Sequence, residues 1–464
     1  MATNPSRKVA LQLAGSLALA WLVSACTTST PPTTKPTDSS NAATVARGKY
    51  LVRVGDCASC HTAKGGKPFS GGFPVPTPFG KIYSVNITPD RETGIGNWTE
   101  QDFYKAMHTG IDADGSHLYP AFPYPWFTKV SRADDDAIKT YLDTLPPVHR
   151  EDTPNELPWY LSWREELAGW NLMFFDKGEY QSDPHHSAAW NRGAYLVEGL
   201  GHCGACHTPT NMLGGSKTSK RYQGGDAGRQ WFAPGLGGNL RDGVGGWSSA
   251  EIVEYLETGA NAKSASAGPM TEVVMNSTQY FSDADLQAIA VYLKDRPQAS
   301  SKSAPDTKAL GADALARGEA LYIDNCTACH MPDGRGLARV FPPLTGSSAI
   351  QADQAGTVIH VVLAGARMAA PGSKPTGLAM PGFGWKLDDH EVADVVNYIR
   401  HAWGNRAPLV DADAVAAVRK NILPEDRPSH DATTVHADAH ARPDMWNRRP
   451  NKLEPAQPSS SALR

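Results

Sequence analysis

The chain has 464 residues, a formal net charge of −4, 43 Gly and 35 Pro. That length suggests about three domains, and the near balance of charge gives no electrostatic footprint for nucleic acid. So much Gly and Pro calls for long irregular loops, which in a compact domain need something to organise them.

In chain order, the N-terminus reads MATNPSRKVALQLAGSLALAWLVSAC. Arg7 and Lys8 form a basic start, and Val9 to Val23 form an apolar run too short for a comfortable transmembrane helix. The run ends in VSAC, the form of a bacterial lipoprotein box with Cys26 as the acylated residue. A plain signal peptide with an incidental Cys, or an uncleaved anchor, is the simpler alternative. We read 1–25 as a lipoprotein signal peptide and 26–43 as a Pro/Thr/Ser tether. More than one acyl chain on Cys26 would hold the protein stably on a membrane. The expectation is an exported chain, lipid-anchored to a bacterial membrane on its periplasmic side.

Three similar units follow, at 44–150, 185–298 and 312–404. Each opens with Arg-Gly in a short helix: RGKYLVRVGDCASCH, RGAYLVEGLGHCGACH and RGEALYIDNCTACH. Tyr50 and Leu51, Tyr195 and Leu196, and Leu321 and Tyr322 form its apolar face. Gly48, Gly193 and Gly318 cost helix propensity. They mark either a helix end or, as we prefer, a close crossing by a second helix. Middle helices follow as NWTEQDFYKAMHTG, GWSSAEIVEYLETG and DQAGTVIHVVLAG, each ending at Gly. A third helix opens in acidic residues and carries Tyr141, Tyr292 or Tyr398. Between the first two units, 151–184 is aromatic; it is either a clasp packing the units together or a docking surface for another subunit. Residues 299–311 form a linker. The tail 405–464 reads as largely disordered; His430, His436 and His440 in it could bind stray metal, but a solvated segment is the better reading.

The cysteines identify what organises the loops. Besides Cys26, six remain, as Cys57, Cys60 with His61; Cys203, Cys206 with His207; and Cys326, Cys329 with His330. C-x-x-C-H is the attachment signature of c-type haem: two thiols bond the porphyrin vinyl groups and the adjacent His ligates iron. Zinc would want four ligands at one metal, with no reason for His at the same offset three times. A redox dithiol would want a βαβ context, which is absent. We expect three covalently bound haem c groups, with His61, His207 and His330 as axial ligands. The haem would stand in for protein core and order the Gly/Pro loops. Backbone carbonyls near Pro342 or Pro343 and Pro234 are candidate acceptors for the other ring nitrogens of His330 and His207.

The opposite axial ligand of such an iron is usually a Met thioether, soft and neutral, favouring Fe(II). From Gly259, eleven residues lead to Met270; from Gly365, fifteen lead to Met380. Both are expected ligands. From Gly110, twelve residues lead to Phe122 in PAFP, and Phe cannot bind iron. The candidates for the sixth ligand of haem one are then His117, Met107 and His108, or an open or water-filled position.

The fold class expected is all-α, three tandem cytochrome c domains of a few helices each around a covalent haem. The layout, with WNRGAYLVEGLGHCGACHTPTNMLGG and YSVNITPDRETGIGNWTEQDF, resembles the triple-haem cytochrome c subunit of bacterial membrane-bound dehydrogenases over roughly residues 44–404. Relatives serve alcohol, gluconate, sorbitol and aldehyde dehydrogenases. The resemblance implies a catalytic partner with a quinone, flavin or molybdenum centre, and ubiquinone or another respiratory acceptor. Many members carry PAMP where this chain has PAFP. No nucleotide-binding glycine fingerprint or catalytic triad signature is present. A stand-alone carrier feeding a terminal oxidase, or a small-molecule reductase or peroxidase at an open first haem, are the alternatives.

Overall fold

The computed structural model describes residues 38–296 and 310–423. The signal peptide, Cys26, most of the tether and of the linker, and the tail from 424 on lie outside them. In the first unit α1 (Asp38–Val54) leads into α2 (Cys57–His61), followed by α3 (Glu100–Thr109), α4 (Tyr124–Phe127) and α5 (Arg132–Leu142). The aromatic segment holds α6 (Leu167–Phe174). The second unit runs α7 (Ala188–Tyr195), α8 (Gly204–His207), α9 (Ser249–Thr258), α10 (Pro269–Asn276) and α11 (Asp283–Asp295). The third runs α12 (Ala312–Asn325), α13 (Thr327–His330), α14 (Ser348–Gln351), α15 (Gly356–Ala364), α16 (Asp389–His401) and α17 (Ala412–Asn421). The architecture is mostly α, qualified by three antiparallel two-stranded sheets in the loops: β1 (Pro74–Thr77) with β2 (Gly80–Tyr83), β3 (Gly225–Asp226) with β4 (Phe232–Ala233), and β5 (Gly365–Arg367) with β6 (Ala379–Pro381).

In each unit the first helix crosses a later one at the glycine, α1 with α5, α7 with α11 and α12 with α16. A Cβ on Gly48 would lie 1.9 Å from the Ala137 carbonyl oxygen; on Gly193, 2.0 Å from that of Ala288; on Gly318, 2.4 Å from that of Asp394. Four residues further on, Tyr141, Tyr292 and Tyr398 are all buried. Close crossing, not helix termination, is what these glycines serve. The middle helices α3 and α9 start in reciprocal capping boxes, Thr99 with Asp102 and Ser248 with Glu251, and stop at left-handed Gly110 and Gly259.

Units one and two exchange side chains as a pair. The Tyr50 hydroxyl donates to Asp285 Oδ2 at 2.5 Å, and the Tyr195 hydroxyl donates to Asp134 Oδ2 at 2.7 Å. Each Asp also accepts from the Arg of its own unit, Arg192 to Asp285 and Arg47 to Asp134, both at 2.7 Å. Each Tyr oxygen in turn accepts the backbone N–H of Ser282 or Ser131. One continuous apolar cluster runs through both units, from Leu51 and Phe127 to Leu200 and Leu286. The third unit has Ala320 where the others have Tyr, so it cannot join this exchange; Arg317 pairs with Asp394 of its own unit at 2.7 Å. It keeps a separate core and meets unit two through polar contacts of loops with helices α9, α14 and α15. The Phe232 N–H donates to Thr357 Oγ1 at 2.8 Å, Arg241 Nη2 donates to the Gln351 carbonyl at 2.6 Å, and Arg339 pairs with Glu254.

One expectation needs adjustment. The tail does not leave the fold at 405. Asp411 caps α17, whose Val415 and Val418 are buried against the third unit, and the Arg419 guanidinium binds Asp389 and the Gly384 and Leu387 carbonyls. The apolar stripe Val415, Val418, Ile422 has helical spacing but is only three residues long, and polar sequence hides it. The aromatic segment does clasp. Tyr119 and Tyr124 of unit one donate to the Leu161 carbonyl and Asn171, Trp170 Nε1 donates to the Leu213 carbonyl, and Phe174 covers Gly215. Its other face leaves Trp159, Tyr160, Trp163, Leu172 and Met173 exposed. Among the described residues no helix is long and apolar enough to cross a membrane.

Candidate haem-binding sites

Each C-x-x-C-H stretch forms a single helical turn at the end of a longer helix. Spacing of three places both thiols of a pair on one face, with the His next in sequence. None of the six cysteines is in a disulfide. Withdrawal from water pushes the Cys57 and Cys203 thiols up to about 12 and Cys326 up to about 11. Among the described residues no three His, Cys, Asp or Glu side chains converge as a metal site, which is what a zinc reading would need.

The three histidines share one arrangement. His61 Nδ1 lies 2.7 Å from the Val85 carbonyl oxygen, His207 Nδ1 lies 2.6 Å from that of Pro234, and His330 Nδ1 lies 3.1 Å from that of Pro342. A carbonyl only accepts, so each Nδ1 carries the proton and each Nε2 keeps a lone pair for a metal. Burial holds all three imidazoles below their ordinary pKa, with the carbonyl bond opposing it, so each is a neutral, ligand-competent ring. This is what a haem iron requires of its proximal residue, and the donor set fits that group.

The acceptors for His207 and His330 are those anticipated from sequence; Val85 was not. The spacing from His to acceptor, 24 residues in unit one and 27 in unit two, is the signal that could have found it. Val85 is held by its neighbours. Asn86, nearly fully buried, donates to the Val148 carbonyl and Thr93 Oγ1, and its own oxygen accepts from the Thr88 backbone and hydroxyl. Asp90 accepts from the Thr93 N–H and hydroxyl. The loop 63–96 is therefore ordered in good part by its own polar network.

On the Met side, Met270 is half-buried at the second position of α10, and Met380 is half-buried on β6 opposite Ala366. The neighbouring Met275 has its sulfur engaged, accepting the Ala370 N–H at 3.2 Å. In unit one, Met107 packs in the apolar cluster at the position of Leu256. His108 is buried and stacked on Tyr104 at 3.9 Å, and desolvation lowers its pKa to about 4. His117 sits in a hairpin paired with Ile111, and its Nδ1 is buried without a hydrogen-bond partner. Phe122 packs edge-on to Phe127 at 5.4 Å.

The sequence matches the cytochrome c family at residues 45–146 and 315–403. It is 42% identical over 409 residues to the gluconate 2-dehydrogenase cytochrome c subunit of Pantoea cypripedii, covering 83% of this chain and 91% of that protein. It is 40% identical to the cytochrome c subunit of the quinone alcohol dehydrogenase of Gluconobacter oxydans, covering 82% and 83%. The fructose dehydrogenase cytochrome subunit of Gluconobacter japonicus is 35% identical, over 83% and 85%. Covalent haem c and electron transfer are what cytochrome c domains of this kind carry. With its motifs, its carbonyl-anchored histidines and these relatives, the chain belongs to the family of cytochrome c subunits of bacterial gluconate, alcohol and fructose dehydrogenases.

Proposed function

We propose that this chain binds three haem c groups and relays electrons from a dehydrogenase catalytic subunit to ubiquinone or another respiratory acceptor. The observation that carries this reading is the threefold recurrence of a Cys pair with a His whose Nδ1 is tied to a backbone carbonyl. Cys57 and Cys60, Cys203 and Cys206, and Cys326 and Cys329 would hold the groups. His61, His207 and His330 would ligate on one side, and Met270 and Met380 on the other in units two and three. The haem supplies a one-electron change of iron valence. The protein excludes water, fixes the imidazole tautomer and keeps the site rigid through that change.

Unit two is the natural middle of the path. The helix α10, which bears Met270, reaches both neighbours: Asn276 donates to Ser59 Oγ at 2.6 Å and Ser277 donates to the Val54 carbonyl at 3.0 Å in unit one. In unit three, the Thr271 hydroxyl donates to the Arg367 carbonyl at 3.2 Å and Met275 sulfur accepts from Ala370. Acylation at Cys26 would tether the assembly to a membrane on its periplasmic face. The exposed face of Trp159, Tyr160 and Trp163 suits the catalytic subunit, since a chain of this family must bury a surface against that partner. The test is expression in a haem-competent host with a pyridine haemochrome assay. Three haems per chain are expected, and reduction of the cytochrome by the co-purified dehydrogenase with its substrate. A colourless product, or fewer than three haems, would end this reading.

A further inference from the structure

The first unit departs from the second at the position of the expected thioether ligand, and the fold fixes the register of the comparison. After α3, the Leu118 N–H donates to the Gly110 carbonyl at 2.7 Å, and Ile111 pairs with His117. After α9, the Ser266 N–H donates to the Gly259 carbonyl at 2.7 Å, and Ala260 pairs with Ala265. The two hairpins are the same device, with one more residue in the loop of unit one. Four residues beyond the shared hydrogen bond lies Met270 in unit two and Phe122 in unit one. The other thioethers near unit one are committed or remote. Met107 is in the apolar cluster, Met275 accepts a hydrogen bond from unit three, and Met173 and Met212 are on the outer surface. His108 is stacked against Tyr104 inside the middle helix, in the register of Glu257 and away from the Phe122 position, although its Nε2 is also buried without a hydrogen-bond partner. His117 has its backbone pinned in the hairpin, yet its buried Nδ1 has no partner, a polar atom that calls for one.

We propose that this chain provides no side-chain ligand on the Phe122 side of the first iron, and that the site takes a small π-acceptor gas of the carbon monoxide or nitric oxide class from solution. Phe122, braced edge-on by Phe127, would form an apolar cover over a bound diatomic. His117, five residues earlier on the same loop, is the polar group we assign to steady it. Binding is simple addition of the neutral ligand to ferrous iron; no bond breaks and no electron is consumed. The inference rests on haem attachment at Cys57 and Cys60, as proposed above.

The test uses the full holoprotein. Pyridine haemochrome first establishes three haems per chain; a smaller number would count against the attachment reading rather than this one. The dithionite-reduced protein is then titrated with carbon monoxide and followed in the Soret band. One ligand per three haems is expected, and the ferric protein should show Met–iron charge-transfer absorption for two haems. Phe122→Met should abolish carbon monoxide binding and raise that absorption to three haems. Phe122→Leu, apolar but without sulfur, should still bind the gas. His117→Ala should keep the stoichiometry and speed ligand dissociation. With three haems attached, failure to take up carbon monoxide would overturn the proposal. So would a ferric low-spin two-imidazole signal in paramagnetic resonance that His117→Ala removes.

Discussion

Gly193→Ala tests the close helix crossing that builds each unit. The new Cβ would stand 2.0 Å from the Ala288 carbonyl oxygen and 2.8 Å from Tyr292 Cβ. Heavy atoms in van der Waals contact pack at about 3.5–4.0 Å, so α7 and α11 must part by roughly 1.5 Å, and a gap of even about 1 Å forfeits much of the local dispersion energy. The obstructing atom is backbone and cannot rotate away, which puts the cost near the upper end of overpacking, about 3 kcal/mol. Alanine returns up to about 1 kcal/mol of helix propensity. The expected net loss is about 2 kcal/mol. Gly48→Ala, with its contact at 1.9 Å, should match it; Gly318→Ala, at 2.4 Å, should cost less. Gly169→Ala in α6 is the control: nothing lies within 4 Å of its Cβ, so propensity alone acts and stability should not fall. The assay is urea denaturation of the holoprotein, followed by far-ultraviolet dichroism and the Soret band. A Gly193→Ala protein as stable as the parent would refute the crossing argument.

Other outcomes follow from the same contacts. Tyr50→Phe and Tyr195→Phe each remove a hydrogen bond to a buried carboxylate, worth about 1.5–3 kcal/mol. The two single variants should lower the urea midpoint by similar amounts, and a clear asymmetry would contradict the reciprocal pairing of units one and two. Asp135 is fully buried with neither carboxylate oxygen hydrogen-bonded; burial, reinforced by the Asp136 charge, raises its pKa from 3.8 to about 8. The folded state therefore holds this proton where the unfolded chain releases it. Its contribution is full below the unfolded value and fades as pH rises through about 8. Asp135→Asn should thus gain on the parent in midpoint comparisons between about pH 5 and about pH 8.5; an unchanged gap would argue against a protonated Asp135. Met270→His and Met380→His should each remove one Met–iron charge-transfer band and lower the potential of one haem in a spectroelectrochemical titration. Retention of both bands in either variant would mean another ligand at that iron.

Much of this protein is written locally. The C-x-x-C-H turns, the Thr99 and Ser248 caps, the Gly stops and the Arg-Gly helices are short-range patterns, and short-range patterns can be read from one strand of text. The departure at Phe122 was likewise visible by counting, though only the shared hairpin of Gly110 with Leu118 and Gly259 with Ser266 makes the count an alignment. What required the fold is everything joined across long separations. Tyr50 meets Asp285 over 235 residues and Tyr195 meets Asp134 over 61, and nothing in a helix that begins Arg-Gly-x-Tyr says whose carboxylate its tyrosine will find. The Val85 acceptor, the seat of α17 and the clasp made by the aromatic segment share that character. Local sequence dictates which groups are offered; burial and chain topology decide which partner each one meets, because a hydrogen bond or an apolar contact depends on distance in space and carries no memory of distance along the chain.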